Sequence, residues 1–304
     1  MILLLGAGAD DPAVAAFDGY LTRHAVRHAV CSDLGRLAFA LHVDAAGRTR
    51  ARLTVPGHGT LHGDEVGVFV RDPWALAPTG EDAATGADAR FAADEYRAAL
   101  WALCALLPKV VNRPGPRAWH DDRELRRCLD PSLLLPECWT SDARRLLDRW
   151  ALCASPELHV EELLTHERRV VKEPAGLGSR DMDMGVGVDV DVDVAVESDA
   201  AHLRALFAPS GAYVIELCVG RESFTVLNEP GIDVQAESYR KVVREIAGAL
   251  RERGVRFFAV ALVADDEHRM SVSRIVSAPP YSWYRGVADL VHEQLRAELE
   301  EGGR

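Results

Sequence analysis

The chain opens on an unbroken apolar run, Ile2–Leu5, the pattern of a buried β-strand. Asp11 then precedes Pro12, an N-cap followed by a proline at the first helical position, and predicts a helix over residues 12–28. Residues 37–43 and 48–55 alternate apolar and polar around Ala45-Ala46-Gly47, which predicts a β-hairpin. Another apolar run covers residues 66–70, and residues 79–89 read as a loop. From Phe91 to Leu107 the period changes to that of a helix, with Leu100, Leu103, Cys104 and Leu107 on one side. Strands and helices therefore alternate through the first part of the chain, the pattern of an α/β lobe closed by Val110-Val111-Asn112-Arg113-Pro114.

Beyond that lobe the pattern predicts helices near 120–129 and 141–151, with a connector rich in Pro and Leu between them. A short strand follows at Arg168–Lys172, then a helix at 200–208 and strands at 212–218 and 222–227. An amphipathic helix is expected from Ser238 to Arg253, strands from Arg256 to Ala264 and from Ser271 to Val276, and a helix from Val287 to Leu299. Residues 181–197, DMDMGVGVDVDVDVAVE, keep a strict period of two. An acidic-faced strand or hairpin and a solvated loop are both compatible with them, as is a calcium site, although no glycine-turned binding loop frames the aspartates. No internal repeat is present.

Charge narrows the functions. Lys and Arg total 35 against 47 Asp and Glu, a net charge of −12. That balance disfavours nucleic acid and anionic membranes, both of which call for a basic face, and leaves a cationic partner open. The first apolar run is too short for a signal peptide or a membrane span. Cys31, Cys104, Cys128, Cys138, Cys153 and Cys218 form no CxxC pair and sit mostly in apolar text, so they read as reduced core thiols of a cytoplasmic protein.

Local candidates for chemistry are weak. Gly6-Ala7-Gly8 has Asp11 where a dinucleotide fingerprint needs its third glycine, and reads as a strand-to-helix turn. His24 and His28 share the predicted helix without the glutamate of a zinc helix, and read as surface residues. His58 and His62 fall in a polar β-turn, and Ser210 and Ser223 have no evident base.

Four segments are more informative together: the helix from Phe91 with Val111-Asn112-Arg113-Pro114; Val170-Val171-Lys172-Glu173-Pro174; Glu216-Leu217-Cys218-Val219-Gly220-Arg221-Glu222; and Val272 through Tyr284. In order and spacing they resemble the segments written WVNPP, VVKP, EYVPGRE and LEVNPNPGWSWY in graspetide synthetases. These are the microviridin-type, ATP-grasp ribosomal-peptide maturases. The resemblance covers nearly the whole chain. It implies an ATP-grasp-like α+β fold with α/β character, divided into an N-terminal lobe 1–114, a central or lid lobe 115–227 and a C-terminal lobe 228–304. It also implies a site for ATP with two magnesium ions, where a carboxylate is activated as an acyl phosphate.

This chain departs from the pattern at the metal. The family's metal-binding Glu, Asn and Asp fall on Arg274, Val276 and Ala261, and the arginine of its GRELR strand falls on Phe224. Magnesium wants oxygen ligands, and a cation in their place repels it. Lys172, Glu216, Arg123 and Arg274 are the nucleotide-site residues left. The resemblance therefore implies a pseudo-ligase that needs no cofactor or metal and binds a precursor peptide with basic residues. Tyr281, Trp283 and Tyr284 would form an aromatic wall for that peptide, facing acids Asp189, Asp191 and Asp193. The alternatives are an ATP-dependent ligase forming amides or esters through an altered nucleotide site, and an ATP-free enzyme in the same pocket. Self-association as a homodimer is left open.

Overall fold

Alternation along the first strand sets up two cores. In the computed structural model, which describes residues 1–5, 11–31, 37–46, 49–71, 87–112, 125–135, 137–140, 157–162, 168–172, 203–208, 212–264 and 269–301, Leu3 and Leu5 join one buried cluster while Ile2 and Leu4 join the other. Successive strand residues point to opposite faces, so this strand, β1 (Ile2–Leu5), must be covered on both sides. Its parallel neighbours are β2 (His28–Cys31) and β6 (Gly67–Val70), and β7 (Lys109–Val111) completes a four-stranded parallel sheet ordered β2-β1-β6-β7. Helix α1 (Pro12–Arg23) covers the Ile2 face with Val14, Phe17 and Leu21. Helix α2 (Ala87–Leu106) covers the Leu3 face with Leu100, Leu103 and Cys104.

The expected N-cap holds: the Asp11 carboxylate accepts from Ala13 N at 2.8 Å and from Val14 N at 3.4 Å. The helix is shorter than its sequence pattern, however. It stops at Arg23, Ala25 takes φ +52°, and the chain turns directly into β2. His24 caps α1 and His28 lies on β2, so the two do not share a helix. The His28 imidazole hydrogen-bonds the Asp18 carboxylate at 2.8 Å and the Val26 carbonyl at 2.7 Å.

The hairpin forms as the pattern predicts. Strands β3 (Ala38–Val43), β4 (Thr49–Val55) and β5 (Gly59–His62) make a three-stranded antiparallel sheet. Leu53, Val55 and Leu61 point into the α2 core, and the opposite face is exposed.

A second four-stranded sheet, ordered β10-β9-β11-β8, contains β8 (Glu137–Thr140), β9 (Glu157–Glu162), β10 (Arg168–Lys172) and β11 (Leu203–Ala208), all antiparallel. Residues 203–208 are thus a strand where a helix was expected: LRALFA carries an apolar pattern that suits either state, and pairing with β9 and β8 decides it. Strand β9 was not foreseen, since ELHVEE has almost no apolar signal. The predicted helix at 141–151 and the 181–197 tract lie outside the described residues.

The third four-stranded sheet, β13-β12-β14-β15, joins β12 (Tyr213–Val219), β13 (Glu222–Asn228), β14 (Phe257–Ala264) and β15 (Met270–Val276) in antiparallel pairs. These pairs cross the expected lobe boundary at residues 227 and 228. Helix α3 (Glu237–Glu252) lays Tyr239, Val243, Ile246 and Leu250 on the face carrying Cys218, Val260 and Leu262. Helix α4 (Ala288–Glu301) puts Val291, Leu295 and Leu299 on the other, against Leu217, Val219 and Phe257.

Helix α4 also reaches the parallel sheet. A Cβ on Gly67 of β6 would stand 2.2 Å from the Leu299 carbonyl oxygen, so only glycine admits the helix there. A Cβ on Gly220, at φ +58°, would stand 2.0 Å from Glu298 Oε1. The first and third sheets therefore share their cores through one helix.

Candidate functional site

Antiparallel register gathers the positions where the sequence resemblance would put metal ligands. Ala261 of β14 pairs with Arg274 of β15 on one side and with Ile215 of β12 on the other. Val276 pairs with Ala259 and lies two residues from Arg274, so it shares the same face. Ile215, Ala261, Arg274 and Val276 are all half-buried, in contrast to the closed part of this face under α4. The sheet thus presents a half-open row in which the side chains are methyls, branched alkyls and one guanidinium. A β-bulge between Ala261 and Leu262 lies beside Ser273. The buried Arg126 guanidinium braces it, donating to the carbonyls of Val272 at 3.0 Å, Ser273 at 3.1 Å and Leu135 at 3.2 Å.

Glu216 does not belong to that row. It pairs with Val260, which points to the α3 side, and its side chain is only 2% exposed. Its Oε1 accepts from the Tyr239 hydroxyl at 2.7 Å and from Thr225 Oγ1. Burial pushes the Glu216 carboxyl above its ordinary range, the two hydrogen bonds opposing it. Burial also raises the Tyr239 hydroxyl, and the bond to Glu216 adds to the effect. Glu216 and Arg274 therefore stand on opposite faces of one sheet and cannot hold one ligand between them.

The remaining candidates divide. Lys172 ends β10, paired in register with Glu157, while Arg123, Asp189, Asp191 and Asp193 lie outside the described residues. Tyr281–Tyr284 form one helical turn. Tyr284 is 2% exposed and packs edge-on against Phe257 and Tyr281, with centroids 5.9 Å and 5.4 Å away. Its hydroxyl is pushed up to about 12 by burial. Tyr284 is thus a core residue and no part of an exposed wall, whereas Tyr281 and Trp283 stay half-exposed.

Asn112, inside the first resembling segment, joins the end of the parallel sheet to the third sheet. At φ +57° it turns its amide toward the third sheet. Its Oδ1 accepts from Arg256 N at 3.0 Å and Phe257 N at 2.8 Å; its Nδ2 donates to Phe257 O at 2.7 Å and Ser277 O at 2.8 Å. Arg71 makes a second joint, donating from Nε to Asp11 at 3.2 Å and from Nη2 to the Pro279 carbonyl at 2.8 Å. Neither role was legible from residue type alone.

Cys31, Cys104, Cys128 and Cys218 are thiols outside any disulfide, the first, second and last buried, and burial raises the Cys218 thiol. Among the described residues no cluster of His, Cys, Asp and Glu could hold a metal, and no helix is long and apolar enough to cross a membrane.

The sequence matches no family model and no curated protein. Its backbone is similar to that of a RiPP-associated ATP-grasp ligase of Chryseobacterium gregarium, solved with ADP and a leader and core peptide. The TM-score is 0.63 at 11% identity, over 99% of this chain and 96% of that one. It is similar to the ATP-grasp ligase PsnB in complex with precursor peptide PsnA2 and AMPPNP, at TM-score 0.66 and 16% identity over 98% and 97%. It is similar also to the macrocyclase MdnC of Microcystis aeruginosa MRC bound with precursor peptide MdnA, at 0.63 and 14% over 98% and 100%. The fold is therefore that of the ATP-grasp ligases, along nearly the whole chain.

Proposed function

We propose that this chain binds a precursor peptide in a peptide natural-product pathway, and does so without the magnesium-dependent ATP chemistry of its structural neighbours. The peptide half of this reading is supported by the three neighbours described above, each solved with a precursor or with leader and core peptides. The other half rests on one observation. Ala261, Arg274 and Val276, where the resemblance puts oxygen ligands, sit together on one sheet face and offer no oxygen side chain. The donor set does not fit magnesium, which needs carboxylate or amide oxygens around it. Glu216, the nearest retained acid of the pattern, faces the α3 core instead.

The peptide reading extends to its chemistry. A chain of net charge −12 favours a precursor with basic residues, and the acidic 181–197 tract with Asp189, Asp191 and Asp193 is the segment that would meet them. Trp283 and Tyr281 supply the aromatic contact.

Calorimetry on the full chain tests the reading directly. The pathway's precursor peptide should bind with or without ATP and magnesium, while ATP with magnesium alone should give no heat at concentrations up to about 100 μM, the range of roughly −5.5 kcal/mol. Turnover of ATP stimulated by peptide and magnesium would instead identify a working ligase.

A further inference from the structure

The open face of the β3-β4-β5 sheet carries a charge opposite to that of the protein. Register sets His42 beside Arg50, and Ala40 beside Arg52, which is itself beside His62; Ala38, Thr54 and Thr60 form the next row. All eight of these side chains are exposed, and none is acidic. Two acids that flank these strands in sequence bond the backbone: the Asp44 carboxylate accepts from Ala46 N at 2.9 Å within the hairpin turn, and Glu65 accepts from His62 N at 3.0 Å.

Five arginines elsewhere are neutralised. Arg23, Arg71, Arg244, Arg256 and Arg296 each meet a carboxylate. Acids outnumber Lys and Arg by 47 to 35, so partners are abundant. Yet among the described residues no carboxylate meets Arg50, Arg52 or His42.

The edge of the same sheet is also open. In the described sheet β3 pairs only with β4, leaving a row of main-chain donors and acceptors along its outer side. On this face the edge strand contributes Ala38, Ala40 and His42, all exposed, and the two alanine methyls do not screen Thr54 and Arg52 one strand behind. A peptide added to β3 as a further strand would bring alternate side chains over this face every ~6.7 Å, the same interval that separates Arg50 from Arg52.

We propose that this face and edge bind an extended, acidic peptide segment, with carboxylates at alternate positions meeting Arg50, Arg52 and His42. The inference rests on the peptide-binding reading and adds to it a second contact, of opposite charge to the one at the 181–197 tract. The occupant is a separate peptide: a second copy of this chain also carries alternating aspartates in its 181–197 tract, but two copies of net charge −12 repel each other.

The probe is a short fluorescein-labelled peptide alternating Glu and Thr, with the Gln-for-Glu peptide as control, titrated by anisotropy into the full chain at low and high salt. The acidic peptide should bind at least tenfold more tightly than the control and lose most of that advantage at high salt. The double variant R50E/R52E should lose the preference, and A40E, which brings a carboxylate to the edge, should weaken binding about tenfold. Both substitutions are on exposed positions, and circular dichroism establishes that the fold is kept; A40E carries the test if the double variant does not fold. Equal binding of the two peptides, or unchanged preference in folded R50E/R52E and A40E, overturns the proposal. So does salt-sensitive self-association of the wild-type chain that R50E/R52E abolishes, which assigns the face to a second copy. A precursor that binds and responds to Trp283→Ala but not to R50E/R52E overturns this inference while leaving the functional reading intact.

Discussion

Asn112 and Phe257 are bound to each other twice, Phe257 N donating to Asn112 Oδ1 at 2.8 Å and Asn112 Nδ2 donating to Phe257 O at 2.7 Å, across 145 residues of chain. One side chain thus completes the start of β14, and through Ser277 O the region beyond β15, at the point where the parallel sheet ends. Removing it takes a hydrogen-bond partner from Arg256 N, Phe257 N, Phe257 O and Ser277 O in a largely buried joint. Asn112→Gly should cost about 3–5 kcal/mol by urea denaturation, since each buried unsatisfied group costs about 1–3 kcal/mol. Asn112→Ala should cost about 1 kcal/mol more, because the backbone at φ +57° then carries a Cβ. A loss below about 1 kcal/mol in Asn112→Gly would show that the joint is not structural.

His292 predicts a pH dependence. Its imidazole is 2% exposed, neither ring nitrogen has a hydrogen-bond partner, and Phe17, Tyr20 and Tyr284 surround it with centroids 5.1, 5.5 and 6.2 Å away. Burial lowers its pKa from 6.5 to about 4, with Asp289 opposing the shift and Arg23 adding to it. Between those values the unfolded chain takes up a proton that the folded chain refuses, so stability falls as pH drops through that window. The loss approaches ~1.4 kcal/mol per pH unit. Between pH 7 and pH 5 the wild type should lose about 2 kcal/mol more than His292→Phe. Parallel urea profiles for the two proteins would remove His292 as the cause.

Glu216 acts with the opposite sign. Its folded pKa is raised, so its contribution is fully present below the unfolded value of 4.5 and is lost as pH rises through the folded value. Glu216→Gln keeps an acceptor for Tyr239 and Thr225 and no longer ionises. Thermal denaturation should find Glu216→Gln gaining on the wild type between pH 4 and pH 7.5. A carboxylate used for nucleotide would give the reverse: loss of ATP binding with no such trend.

The aromatic turn separates a core residue from a contact residue. Tyr284→Ala should cost about 3–5 kcal/mol of stability, the range for a buried aromatic. Trp283→Ala should leave stability within about 1 kcal/mol and, if Trp283 anchors the precursor, weaken it by about 2 kcal/mol or more, near thirtyfold. The same peptide affinity in a folded Trp283→Ala would remove Trp283 from the site.

Legibility followed the physical strength of each signal. Ile2–Leu5, Phe257–Ala264 and the α3 face are long apolar patterns that only one element satisfies, and each formed as expected. Strand β9 was invisible because ELHVEE takes its state from β10 and β11 on either side. The grouping of Ala261, Arg274 and Val276 needed the β14–β15 register, although the family pattern already named them. The burial of Glu216 toward α3 was not legible because a pattern gives the residue and not the face. The alternation Thr49-Arg50-Ala51-Arg52-Leu53 did contain the basic face, but a strand of such pattern says nothing about which cations lack partners.

The packing of α4 has a consequence for the order of synthesis. Its Leu299 lies on Gly67, its Glu298 over Gly220, and its Val291 and Leu295 complete the cluster that holds Ile2 and Leu4. The parallel sheet is made first and this helix follows every described strand. At roughly 5–20 residues per second, the Ile2 face of that sheet waits for roughly ten to forty seconds of translation before the rest of its cover is made. During that interval Phe17, Phe69 and Leu217 share an incompletely covered surface, and a nascent chain in that condition is a substrate for chaperones.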